Sequence, residues 1–160
     1  MTRLEGIKIA LDPSPRQKRL LASNAGGARF AYNTMLNHVI EQIKYSRSVS
    51  DGDAVELDWS HYDLIRWWNK NKCELAPWWS SNSSNVYNYA AECLGRGLKN
   101  YSDSKKGKRK GRHVGFPKFK SRRSSNKFAY TTGFKQPMWW DTNALVLPRI
   151  GRVHCMENVF

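Results

Sequence analysis

Residues 6–17 read GIKIALDPSPRQ, and they set the arrangement of the whole chain. Ile7, Ile9 and Leu11 alternate with Lys8 and Ala10, the pattern of a half-buried strand, which Asp12-Pro13 ends. Ser14 then stands as an N-cap, Pro15 at the first helical position and Gln17 three residues after the cap. That is a capping box, so a helix starts here. If this strand pairs with strands much further along, everything between them is an insertion.

Working outward, the helix carries Leu21, Ala25, Ala28, Tyr32, Met35 or Leu36, Val39 and Ile43 at steps of three and four, a stripe that faces a core. Gly26-Gly27 interrupts it. Each glycine costs a helix about 1 kcal/mol relative to alanine. Either the helix breaks here into a helix-turn-helix, or something approaches its backbone closely. Residues 46–58 are polar and loop-like. A second helix is predicted over 59–71, with Trp59, Tyr62, Ile65 or Arg66 and Asn69 on related faces. A third is predicted over 82–101, with Val86, Tyr89, Ala90, Cys93, Leu94 and Leu98 as its stripe and Gly95 and Gly97 loosening its last turns. Residues 102–113 read as a Ser/Lys/Gly linker. After it NKFAYTTGF (126–134), ALVLP (144–148) and IGRVHCM (150–156) look like short strands. The class is therefore α+β, a helical middle between one early strand and a β-rich end.

The 160 residues, 40% hydrophobic and 25% charged, have a globular composition. Seven tryptophans, six of them in the pairs Trp67-Trp68, Trp78-Trp79 and Trp139-Trp140, are expected mainly in the core, with one ring of the last pair available to a nucleotide. The net charge of +14 is uneven: residues 1–103 carry 13 Lys/Arg against 11 Asp/Glu, and residues 104–160 carry 14 against 2. A field of one sign on one half attracts a polyanion. Nucleic acid is the first candidate and an anionic membrane the second. No segment reaches the length of ~20 apolar residues needed to span a bilayer, and MTRLEGIKIALDPSP lacks a secretory leader's pattern, so a cytoplasmic location is expected. Cys73, Cys93 and Cys155 show no C-x-x-C spacing, and His154-Cys155 would point to opposite faces of a strand. No metal or other cofactor is expected, and buried free thiols are.

The basic half centres on KKGKRKGRHVGFPKFKSRR, residues 105–123. Lys105, Lys106, Lys108, Arg109, Lys110 and Arg112 make a flexible arm suited to backbone phosphates. Pro117 holds the next stretch extended. With period-two alternation, Phe119 anchors in the core while Phe116 shares a face with Lys118 and Lys120, which, with Arg122 and Arg123, can contact phosphates. Phe116 is then either free to stack on a base or, like Phe119, simply core. Arg29 lies near the glycine pair, either as a plain surface cation or where backbone meets a duplex.

The pattern strand, D-P-x-x-x-Q, long helix with A-G-x-x-R-F-x-Y-N, then G-x-P-K/R-F-K, resembles the TnpB (OrfB) proteins of bacterial insertion sequences. The matching residues are Leu11, Pro13, Gln17, Ala25, Gly26, Ala28, Arg29, Phe30, Tyr32, Asn33, Gly115, Pro117, Phe119 and Lys120, followed by LPRIG at 147–151. They run in order over nearly the whole chain. The resemblance implies an RNA-guided DNA endonuclease with a small β-barrel (wedge) domain and a helical recognition domain inserted after its first strand. It implies 1–13 as that strand, 14–103 as the helical, helix-turn-helix-like domain, 104–113 as a basic linker and 114–160 as the rest of the wedge. Guide RNA and double-stranded target DNA are the implied partners. Lys118, Lys120, Arg122 and Arg123 would follow the guide, and Asn33 would contact DNA, as would Tyr32 if it is not core.

In that family a RuvC-like nuclease and a zinc ribbon follow the wedge. Two-metal cleavage needs several carboxylates, and after Asp103 this sequence has only Asp141 and Glu157; Asp51, Asp53, Glu56 and Asp58 read as a solvated acidic loop. The expectation is a chain that binds without cutting: a truncated gene, a relic of the mobile element, or one piece of a split protein whose partner is a separately encoded nuclease half. The alternative is a helix-turn-helix DNA-binding accessory or regulatory protein of a mobile element.

Overall fold

The computed structural model describes residues 8–49, 56–123 and 127–129, the backbone of 139–141, and 143–157. In order these hold β1 (Leu11–Asp12), α1 (Pro15–Ser48), α2 (His61–Leu75), a 3-10 turn (Trp79–Ser81), α3 (Ser84–Lys105), β2 (Trp139–Asp141), β3 (Ala144–Leu147) and β4 (Gly151–Cys155). The early strand does pair with a late one: Leu11 lies opposite Cys155 and Asp12 opposite His154, antiparallel. The sheet order is β1-β4-β3-β2. The helices thus lie between two strands that hydrogen-bond to each other. Among the described residues the sheet is open and does not close into a barrel. Most of the 126–134 stretch, including residues 130–134, lies outside the described residues, and 127–129 are not in a strand.

The capping box forms as read. Ser14 Oγ accepts from the Gln17 amide and the Gln17 side chain accepts from Ser14 N–H at 2.9 Å. The same Gln17 donates through Nε2 to the Arg152 carbonyl at 2.7 Å, tying the helix start to β4. Leu20 and Leu21, one turn on, pack with Leu11 against Leu147, Ile150 and Val153 of the sheet. The β3–β4 turn uses Pro148 and then Arg149 at φ 65°, closed by Ile150 N–H to Leu147 C=O at 3.1 Å. A positive φ at the third turn position is the geometry this Pro-led turn demands.

The larger core joins the three helices through Ala28, Ala31, Tyr32, Met35, Leu36 and Val39 of α1, Leu64 and Trp68 of α2, and Val86, Tyr87, Ala90, Leu94 and Leu98 of α3. The α1 stripe is the one read from sequence. The α2 face is so only in part: Trp59 and Ile65 pack against this core, but Tyr62, Arg66 and Asn69 are exposed, and the buried residues are Leu64 and Trp68. The helix begins at His61, capped by Ser60 and Asp63. Trp59 precedes it, so a stripe counted from Trp59 meets the core at Ile65 but misses Leu64 and Trp68.

Helix α1 does not break at Gly26-Gly27; it is continuous for 34 residues. The other alternative holds, and what approaches is the protein itself. A Cβ on Gly27 would lie 2.8 Å from Asn82 Nδ2 and 3.4 Å from the Tyr87 ring. Neighbouring Asn24 is fully buried, and its Oδ1 accepts from Ser83 N–H at 3.1 Å, at the N-cap of α3. Gly95 plays the same part for α2: its Cβ would meet His61 N at 2.8 Å. The glycines at 95 and 97 therefore do not loosen α3, which runs regularly to Lys105. They admit neighbours.

Opposite outcomes are expected for two alanine substitutions in these helices. Gly26→Ala meets nothing closer than 3.8 Å and should stabilise by up to about 1 kcal/mol through helix propensity. Gly95→Ala pushes backbone against backbone and should destabilise by roughly 1–3 kcal/mol despite the better propensity. Urea midpoints of the two variants check this.

The thiols are not all buried: Cys73 is exposed, Cys93 half-buried and Cys155 buried. Exposed His154 and buried Cys155 do sit on opposite faces of β4. No helix among the described residues is long and apolar enough to cross a membrane.

Candidate nucleic-acid interface

Residues 113–121 cross the helical core without forming a strand. Val114 N–H donates to Ser104 Oγ at 3.0 Å, and Pro117 Cγ rests 3.4 Å from where a Gly97 Cβ would be. At the far end the Asn33 carboxamide clips the segment: Nδ2 donates to the Lys120 carbonyl at 2.9 Å and Oδ1 accepts from the Lys120 amide at 2.8 Å. Two bonds from one planar group fix both position and direction.

This docking reverses the expected roles of the two phenylalanines. Phe116 is half-buried, edge-on to Tyr101 at 5.3 Å between centroids, and packs on the helical core. Phe119 is 55% exposed. Period-two alternation presumes a paired strand, and here a proline seated on a glycine and a side-chain clip set the orientation instead. Lys118 remains outward, but Lys120 turns in, with Nζ 3.9 Å from the centre of the Tyr32 ring. Burial holds the Lys120 ammonium below the usual lysine range; Cys93 opposes that shift and Arg96 adds to it. Tyr32 is core, and burial, with a smaller push from Cys93, raises its phenol.

Arg29, Lys120 and Lys127 come together around Tyr89 at a narrow cleft between α1 and α3. Lys127 is a cation that sequence reasoning passed over, because it follows the dense run and nothing marks it. The arm cations Lys105, Lys106, Lys108, Arg109, Lys110 and Arg112 are exposed, as are Lys118, Arg122 and Arg123. Lys105 ends α3, and the arm leaves through Gly107 and Gly111, both at positive φ. Lys105–Arg123 thus forms a cationic path fastened at Val114, Pro117 and Lys120. The side chains of Trp139 and Trp140 lie outside the described residues.

The acidic loop is not wholly solvated. Glu56 is exposed, but Asp58 Oδ2 is 2.6 Å from His38 Nε2 and accepts from Gln42 Nε2 at 3.0 Å, while Asp58 N–H donates to Gln42 Oε1. Asp58 buttons its segment to α1; Asp51 and Asp53 lie outside the described residues. No group of three or more His, Cys, Asp or Glu able to hold a metal occurs among the described residues.

Cutting the clip should be visible. Asn33→Ala removes two half-buried hydrogen bonds, each worth about 0.5–1.5 kcal/mol. The expected result is a loss of roughly 1–3 kcal/mol in stability, with faster amide exchange at Lys120 in hydrogen-exchange mass spectrometry.

Two comparisons bear on the identity of this arrangement. Residues 1–48 match the family described as a helix-turn-helix domain, that of OrfB from IS605 elements. In this chain the matched part contains β1 and the single unbroken α1. The chain is also 27% identical, over 97% of its length, to proteins of two Mycobacterium tuberculosis strains, CDC 1551 / Oshkosh and H37Rv, each named "Putative RNA-guided DNA endonuclease". It spans 35% of their length. Both findings agree with the resemblance carried by the motifs: the chain is similar to the N-terminal part of TnpB (OrfB) proteins.

Proposed function

We propose that this chain, similar as it is to the start of the TnpB proteins, is the nucleic-acid-binding portion of an RNA-guided, transposon-associated system. It holds guide RNA along the path from Lys105 to Arg123 and presents duplex target DNA to it. The observation that supports this reading most is the Asn33 clip. It fastens a cationic segment to the helical body, where a merely solvated run would need no fixed course. Lys120, Arg29 and Lys127 stand together at its inner edge and add positive field there. Exposed Lys118, Arg122 and Arg123, with exposed Phe119 among them in sequence, offer cations and a ring to solvent, a combination that single strands favour. In this reading residues 14–103 act as the recognition part and the sheet as the wedge. The share of this chain in the relatives' activity is binding, and strand cleavage belongs to a nuclease part.

The rival is a helix-turn-helix regulator of duplex DNA. A reading helix wants Arg, Asn or Gln exposed at its N-terminal end in the major groove. Here α1 has no break, and Asn33 is engaged with Lys120. The test is to purify the tagged chain from its host and sequence what accompanies it. One discrete RNA encoded beside an insertion element supports the proposal; duplex DNA without RNA supports the rival.

A further inference from the structure

Beyond the Asn33 clip, toward the C-terminal end of α1, the helical body opens into a cavity of about 490 Å³. Trp59, Tyr101 and Phe116 form aromatic walls, and Lys44, Arg47 and Lys105 stand among its lining residues. The volume is in the range of small-molecule sites. No Asp or Glu lines it among the described residues. Lys44 reaches Glu41 at 2.9 Å on the exposed side of α1, a surface pair that yields readily to a stronger anion. Two of the rings are held in place: Phe116 by its edge contact with Tyr101 and by Pro117, and Trp59 by its position after Asp58, which is bound to His38 and Gln42. Apolar rings with three cations among the described lining residues fit a flat aromatic group that carries negative charge beside it.

We propose that this cavity receives one unpaired nucleotide of a single-stranded nucleic acid, its base between the aromatic walls and its phosphates on Lys44, Arg47 and Lys105. Lys105 is also the first cation of the arm, so a strand following the arm arrives at the cavity mouth. A paired base is kept from the cavity by its partner, so the site prefers single strands. The inference rests on the nucleic-acid reading above but adds a defined subsite to it.

The test uses the whole chain and a mixed-sequence single-stranded 12-mer RNA containing 4-thiouridine, photo-crosslinked and mapped by mass spectrometry. Crosslinks on the peptides holding Trp59 or Tyr101 are expected, with none at those peptides when the RNA is annealed to its complement. The double variant Lys44→Ala/Arg47→Ala changes only side chains on the outer part of α1. It should weaken binding about tenfold and flatten the log–log salt slope by about 0.7 for each phosphate it no longer neutralises. Crosslinks confined to 105–112 and 118–123, with unchanged affinity in the double variant, overturn the cavity proposal and leave the nucleic-acid reading standing. A chain that binds no RNA at any salt overturns both.

Discussion

Replacing Trp68 with alanine is expected to cost about 3–5 kcal/mol of stability, the range for large aromatic truncations in a core. Trp68 is fully buried and sits where the three helices meet, at 5.1 Å from the Tyr87 ring and 6.3 Å from Phe30 between centroids. Domains of this size have ~5–15 kcal/mol in total, so the loss is a large share of it. With ~2–4 °C per kcal/mol, the melting point should fall by roughly 6–20 °C. Trp68→Phe separates packing from polarity. The indole N–H has no hydrogen-bond partner among the described residues, and an unmet buried donor costs ~1–3 kcal/mol. Phenylalanine keeps most of the packing and removes that donor, so its loss should stay below about 2 kcal/mol. A melting point within about 3 °C of the parent for Trp68→Ala would mean that α2 is not docked as described.

The second large effect concerns the arm. Changing Lys105, Lys106, Lys108, Arg109, Lys110 and Arg112 together to alanine removes six exposed cations and leaves α3 intact up to its last turn. Every phosphate that goes without its cation lowers the slope of log K against log salt by about 0.7 on single strands and about 0.9 on duplex. If all six engage, the slope changes by roughly 4–5 and affinity at about 50 mM salt falls by several orders of magnitude, similarly across sequences. The melting point should hold or rise, since removing six like charges relieves repulsion. A slope unchanged within about one unit would show that the arm is solvated even in the complex.

How far the sequence could be read depended on whether each signal was local. The start of α1 was fully legible, because a capping box is written in four residues and needs nothing from elsewhere. From order alone, pairing of the first strand with later ones was a condition for reading the helices as an insertion, and the β1–β4 register meets that condition. The α2 face was legible only at Trp59 and Ile65, and its buried residues Leu64 and Trp68 fell outside a count begun at Trp59, one residue before the Ser60 cap. Gly27, Gly95 and Gly97 were ambiguous because the residues they accommodate, Asn82, His61 and Pro117, lie elsewhere along the chain. The Asn33–Lys120 clip spans 87 positions and leaves no local trace. That is also why Phe116 and Phe119 were assigned to each other's surroundings. Charge distribution named the class of partner, but the segment's course came only from the docked contacts.

Binding of RNA along a cationic path fixed on the helical body is the property on which the proposed function stands. It is measured most directly by fluorescence anisotropy of the intact chain with a structured RNA and with duplex DNA of equal length, from about 50 to 500 mM salt, alongside Asn33→Ala. Tighter binding of the RNA is expected at every salt, persisting at about 200 mM. Asn33→Ala should give a weaker RNA complex whose salt slope is unchanged, because the cations remain but their course is lost. Equal affinity for both nucleic acids, vanishing by about 200 mM and indifferent to Asn33→Ala, would contradict it.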